Sequence, residues 1–122
     1  MASVGRILVV DDEPDLRFVL RRILTRAGHE VAEAGDGAAA LASVHQSQPD
    51  LVVTDMVMPV MDGAELIRML RADPVTAAIP VMAVSADWHL AIDADAAMTK
   101  PYQRAELLAV ADGLLRKGRG GR

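Results

Sequence analysis

The chain has 122 residues, 52% of them hydrophobic and 25% charged, with no cysteine and a net charge of −4. That length suits one domain around a single core, and the lack of cysteine excludes disulfides and thiolate metal sites while fitting a reducing cytoplasm. The last seven residues, RKGRGGR, hold four of the thirteen basic side chains, so the rest sets nine basic against seventeen acidic residues, a net of −8 that repels nucleic-acid phosphates.

No apolar run approaches the ~20 residues of a membrane span, and carboxylates at position 11 argue against a signal peptide. RILVV (6–10) is a continuous apolar run, the pattern of a strand buried on both faces. EPDLRFVLRRILTRAG (13–28) sets Leu16, Val19, Leu20, Ile23 and Leu24 on one helical face, with Gly28 as the stop. EVAEA (30–34) predicts a short strand, Gly35, Asp36 and Gly37 a turn, and AAALASVHQSQ (38–48) a helix broken by Pro49 and Asp50. LVVTD (51–55) is a second buried strand, followed by the loop MVMPVMDG (56–63) and the amphipathic AELIRMLRA (64–72). Pro74 and Pro80 bracket a connection to the fourth strand, VMAVS (81–85). A poorly patterned segment (86–95), a short strand near 96–99 and a closing helix, QRAELLAVADGLLRK (103–117), complete the chain. This alternation predicts an α/β fold, a parallel sheet with helices on both faces. The expected organisation is one domain over 1–117 and a flexible basic, Gly-rich tail over 118–122.

Ligands of such sheets sit in the crevice at the carboxyl ends of the strands. Strand one ends in Asp11, Asp12 and Glu13, strand three in Asp55, strand four in Ser85, and strand five in Thr99 and Lys100. Carboxylates gathered there repel one another, and a hard cation removes the conflict. All-oxygen ligation with room for water suits Mg²⁺. Lys100 is the only lysine among the first 116 residues, all other basic side chains there being arginine. A compact, mobile ammonium suits a phosphoryl oxygen, and Ser85 is a further donor. The set describes a phosphoryl site in which an aspartate can be the nucleophile. Taken singly, Asp11 or Asp12 reads as a helix N-cap, Asp55 as a turn residue, Ser85 as a cap and Lys100 as a solvated charge. Their recurrence at successive strand ends favours one shared site.

ILVVDDEPDLR, DLVVTDMVMPVMDG, IPVMAVSA and MTKPY together resemble the receiver domain of bacterial two-component response regulators, over residues 6 to 117. The resemblance implies a doubly wound, flavodoxin-like five-stranded sheet of order 2-1-3-4-5. It makes Asp55 the phosphoacceptor for a sensor histidine kinase or histidine phosphotransfer protein, in a stand-alone, chemotaxis-regulator-like chain. Asp11 and Asp12 match the acidic pair that holds Mg²⁺, with Asp55 and the Val57 backbone carbonyl as further ligands. The amides of Met56, Val57 and Ala86 then face the phosphoryl oxygens, Ser85 is the switch hydroxyl and Lys100 the phosphate-binding lysine. The Lys100–Pro101 peptide is cis in the family. A cytoplasmic regulatory phosphoprotein is implied, not an enzyme, that takes part in its own phosphorylation and dephosphorylation. It switches binding of a downstream protein, with no nucleic acid or membrane partner, as a monomer or weak phosphorylation-dependent dimer.

Two departures stand out. Ser85 and Lys100 are fifteen positions apart, roughly two helical turns fewer than is usual, so the fourth helix is expected to be short or irregular. Ala97 occupies the position of an aromatic that normally turns inward on phosphorylation. A phosphorylation-independent binding module is the alternative these departures motivate. A small Mg²⁺-dependent phosphohydrolase is a further one, against which stand the missing D-x-D and cap domain. Trp88 reads either as a partner contact or as a cover for the shortened segment. His29, His45 and His89 read as surface residues, and Met56, Met58 and Met61 as fillers around the loop beside Asp55.

Overall fold

The computed structural model describes residues 4–87 and 93–117. The elements follow the expected alternation: β1 (Arg6–Val10), α1 (Pro14–Arg26), β2 (Glu30–Ala34), α2 (Gly37–Gln46), β3 (Leu51–Thr54), α3 (Gly63–Ala72), β4 (Val81–Ser85), β5 (Ala96–Thr99) and α4 (Arg104–Lys117). The strands form one parallel sheet of order β2-β1-β3-β4-β5. This is the doubly wound arrangement expected from the sequence. Among the described residues no helix is long and apolar enough to cross a membrane.

Alternation along each central strand divides the core into two layers. Leu8, Val10, Val52 and Ala83 face one side with Val44 of α2 and Leu66, Ile67 and Leu70 of α3. Ile7, Val9, Val53, Met82 and Val84 face the other with Leu20 and Leu24 of α1 and Leu107, Ala111 and Leu114 of α4. The unbroken apolar runs of β1, β3 and β4 are therefore explained by cover on both faces. β2 lies at an edge and keeps only Ala34 fully buried.

Two expectations about burial are corrected. α1 is anchored by Leu20 and Leu24, with Ile23 half-buried, whereas Leu16 and Val19 are exposed. They border an open groove of about 520 Å³, shared with Lys100, Pro101, Tyr102 and Arg104, so the apolar stripe is wider than the surface that α1 buries. His29, expected at the surface, is buried, and its Nδ1 accepts a hydrogen bond from the Gly5 amide at 3.2 Å. Gly28 just before it has φ +101°, which turns the chain from α1 straight into β2. His45 is exposed, as expected. Of the segment expected to hold a short or irregular fourth helix (86–95), residues 88–92, with Trp88 and His89, lie outside the described residues, as does the tail 118–122.

Candidate functional site

Each strand hands its chemistry to the loop at its carboxyl end. The Asp11 amide donates to the Ala34 carbonyl (3.2 Å) and the Asp55 amide to the Val10 carbonyl (2.9 Å), so the sheet's own ladder places both residues. β3 ends at Thr54, one residue earlier than expected, and the Thr54 hydroxyl donates to the Asp55 carbonyl at 2.7 Å. The loop after Asp55 is closed by α3. Asp62 caps that helix by accepting from the Glu65 amide (2.9 Å), and the Gly63 amide donates to the Met56 carbonyl (3.0 Å). A Cβ on Gly63 would lie 2.5 Å from the Asp55 carbonyl oxygen, so glycine is required for this approach. Met56 and Met58 are buried beneath the loop, while Val57 and Val60 are exposed.

These constraints bring oxygens of Asp11, Asp12 and Asp55 within 4.8 Å of one another. Lys100 reaches over from the end of β5. Its Nζ donates to Asp55 Oδ2 at 3.1 Å and to Asp11 Oδ2 at 3.3 Å. The Lys100 amide donates to the Ser85 carbonyl (3.0 Å), and the Lys100–Pro101 peptide is cis. Burial opposes the charge on the ammonium, but Asp55 and Asp11 outweigh it and hold the Lys100 pKa above its ordinary value. Burial also raises the Tyr102 phenol; Lys100 opposes this and Asp11 adds to it.

The remaining carboxylate bonds are local. Asp55 Oδ1 accepts from the Met56 amide at 2.7 Å and the Val57 amide at 3.4 Å. Asp11 is 1% exposed, and its Oδ1 accepts from the Glu13 amide at 2.9 Å. The α1 N-cap position is Glu13, which makes no side-chain cap bond, so neither Asp11 nor Asp12 is the cap, and an oxygen of each lies near Asp55 instead. Ser85 is buried at the end of β4, and its Oγ accepts from the Asp87 amide at 3.3 Å. That bond is the local turn role open to any serine at this position. Ala86 is exposed beside it, and Ala97 is an exposed β5 residue paired with Ala83.

Arg17 escaped sequence reasoning. An arginine on an amphipathic helix reads as solvated, and its contacts to Asp11 and to Glu33 of β2 are set by the fold. Gly63 was legible only as part of the loop motif, without its steric role.

Chemically, three carboxylates against one ammonium leave two negative charges in a set of oxygen donors, which fits a hard divalent cation. An aspartate, a lysine and backbone amides converging there suit transfer of a phosphoryl group rather than binding of an apolar ligand.

Comparison with known proteins agrees with this chemistry. Residues 7–112 match the family model described as the response regulator receiver domain. The chain therefore belongs to the response regulator receiver domain family, regulatory phosphoacceptor domains of two-component signalling that bind Mg²⁺ at an acidic site. The transcriptional regulatory protein PrrA of Mycobacterium tuberculosis is 41% identical over 119 residues, which is 92% of this chain and 50% of that protein. The chain thus spans about half the length of the first curated relatives it matches. Protein PilH of Pseudomonas aeruginosa is 34% identical, over 92% of this chain and 98% of its own length. Among solved structures, response regulator protein TrrA from Thermotoga maritima, in complex with Mg²⁺-BeF, superposes with a TM-score of 0.81 at 32% identity, covering 89% of this chain and 97% of that one.

Proposed function

We propose that Asp55 accepts a phosphoryl group from a phosphohistidine of a sensor histidine kinase or histidine phosphotransfer protein, and that the modified chain changes its binding to a downstream protein. The observation that carries this reading is the bridge from Lys100 Nζ to the carboxylates of both Asp55 and Asp11 (3.1 and 3.3 Å), beside a cluster that also includes Asp12. An Asp55 carboxylate oxygen bonds to phosphorus as the phosphorus–nitrogen bond breaks, and the electron pair of that bond returns to the imidazole. Lys100 follows the phosphoryl oxygens, its ammonium trading carboxylate contacts for the new charge. The amides of Met56 and Val57, which now donate to Asp55 Oδ1, and that of Ala86 are the backbone donors for those oxygens. Ser85 gives up its turn bond to act as the switch hydroxyl.

Asp11, Asp12, Asp55 and the Val57 carbonyl would hold Mg²⁺, which when bound offsets the charge of the carboxylates and the incoming phosphoryl group. The product is a charge switch of about −1.5 to −2, made by a regulatory domain that takes part in its own labelling and hydrolysis. We assign the receiver to 1–117 and a basic tail to 118–122, acting in the cytoplasm as a monomer or weak phosphorylation-dependent dimer, with neither nucleic acid nor membrane bound by this domain.

The test is incubation with a small-molecule phosphodonor and Mg²⁺, read by intact mass. Wild type gains one phosphoryl group and Asp55→Asn gains none; labelling that persists in Asp55→Asn sinks the assignment. Ala97 supports a second reading, a binding module that works unphosphorylated, because this exposed β5 position offers no ring to turn inward. Equal output in cells from wild type and Asp55→Asn would select it.

A further inference from the structure

The backbone of Asp11 is held by a side chain that none of the proposed chemistry uses. Arg17, one turn into α1, donates from Nη1 to the Asp11 carbonyl at 2.6 Å and from Nε to Glu33 Oε1 at 3.0 Å. Glu33 belongs to β2, and its second oxygen, Oε2, lies 3.2 Å from Arg21 Nε. The guanidinium therefore spans three parts of the fold: α1, the loop after β1, and the edge strand. Its rigid planar fork is suited to this, since the two donors leave in fixed directions. Every polar atom of Asp11 is then engaged. The amide goes to Ala34, the carbonyl to Arg17, Oδ1 to the Glu13 amide and Oδ2 to Lys100.

The Asp11 carbonyl is half of the peptide unit that joins Asp11 to Asp12. That unit is planar, so fixing its oxygen fixes the direction in which the Asp12 backbone leaves. Asp11 is buried and pinned, whereas Asp12 is exposed and follows by that one bond. Arg17 thus holds the peptide from which the second carboxylate of the cluster departs.

We infer that Arg17, anchored by Glu33, is a positioning residue for the carboxylate pair Asp11–Asp12, and so controls how tightly the cluster takes a divalent cation. This rests on the reading of the cluster as a Mg²⁺ site. Geometry and charge make opposite forecasts. A guanidinium near Asp11 repels a cation, so if Arg17 acted through charge alone its removal would tighten Mg²⁺ binding. If it acts by holding the peptide, its removal loosens the pair and weakens binding. Losses of about ten-fold or more are usual when a support of a metal ligand is removed.

The experiment is calorimetric titration of Mg²⁺ into the whole chain, with circular dichroism to establish that each variant is folded. Arg17→Gln is expected to raise the Mg²⁺ dissociation constant about ten-fold. Arg17→Lys, which keeps the charge and loses the fork, and Glu33→Gln, which loosens the anchor, shift it in the same direction by less and serve if Arg17→Gln does not fold. Binding by Arg17→Gln as tight as wild type or tighter overturns the inference, and so does an unchanged constant in both Arg17→Lys and Glu33→Gln. Wild type that binds no Mg²⁺ overturns both the inference and the metal reading. Weakened binding in the variants, with no phosphoryl labelling of wild type, leaves the inference standing and removes only the phosphoacceptor reading.

Discussion

His29 carries its acceptor nitrogen inward. It is 7% exposed, its Nδ1 takes the Gly5 amide, and burial lowers its pKa, with Asp112 of α4 partly opposing that shift. Protonation would convert Nδ1 from acceptor to donor and set two N–H groups face to face. A histidine whose folded pKa lies below its unfolded value takes up its proton more readily when unfolded. Its stabilising contribution is therefore complete above the unfolded value of about 6.5, is lost as pH falls from there toward the lower folded value, and is constant below that. Urea unfolding between about pH 8 and pH 5 should show wild type losing stability on acidification and His29→Gln, which keeps an acceptor, losing less. Parallel curves for the two proteins would remove His29 as the cause. Gly63 bears on stability through space alone. The Cβ of Gly63→Ala would meet the Asp55 carbonyl oxygen at 2.5 Å and the Met56 Cα at 2.8 Å, both backbone atoms that cannot swing aside. A cost of about 1–3 kcal/mol is expected, measured as a lowered urea midpoint with unchanged slope.

At the scale of elements, β5 begins with a side chain acting as backbone. Asp95 Oδ2 accepts from the Val81 amide at 2.7 Å while the Asp95 amide donates to the Val81 carbonyl at 2.8 Å. Arg71 at the end of α3 closes the same corner, donating to Asp95 Oδ2 and to the carbonyls of Ala77 and Ile79. This corner starts the register Met82↔Ala96 to Ser85↔Thr99, beyond which Lys100 enters the crevice. Asp95→Ala should cost about 1–2 kcal/mol in thermal or urea unfolding, and Asp95→Asn, which keeps an acceptor, less than half of that; equal losses would show that the acceptor is irrelevant. Such corners mark where reading the sequence stops. β1, β3 and β4 were legible because runs such as RILVV and VMAVS can only be buried on both faces. The polar residue that closes or follows each run, Asp11, Asp55 and Ser85, was legible because a parallel sheet collects those ends. Arg71–Asp95, Arg17–Glu33 and His29–Gly5 pair residues sixteen to twenty-four positions apart and carry no local periodicity. The exposure of Leu16 and Val19 was hidden for the opposite reason, since helical spacing reports an apolar stripe and not how much of it a neighbour covers.

For the whole molecule, the crevice is a local conflict that the rest of the fold sustains. Lys100 neutralises one of three clustered carboxylates, which is the arrangement of a site made for binding rather than for stability. The two effects can be separated by unfolding with and without the cation. If the assembled cluster takes Mg²⁺ as proposed and the unfolded chain does not, the cation should raise the unfolding temperature, by about 2.7 kcal/mol of stability at a hundred-fold excess over its dissociation constant, and chelation should reverse the rise. Asp12→Asn removes one negative charge without disturbing the bridge from Lys100 to Asp11 and Asp55. It should therefore be more stable than wild type under chelation, and gain little from Mg²⁺. The crossing of the two proteins, wild type gaining on Mg²⁺ what Asp12→Asn already has without it, is the signature of carboxylates held against their own repulsion. If Asp12→Asn is instead the less stable protein under chelation, Asp12 supports the loop structurally and the conflict lies elsewhere in the cluster.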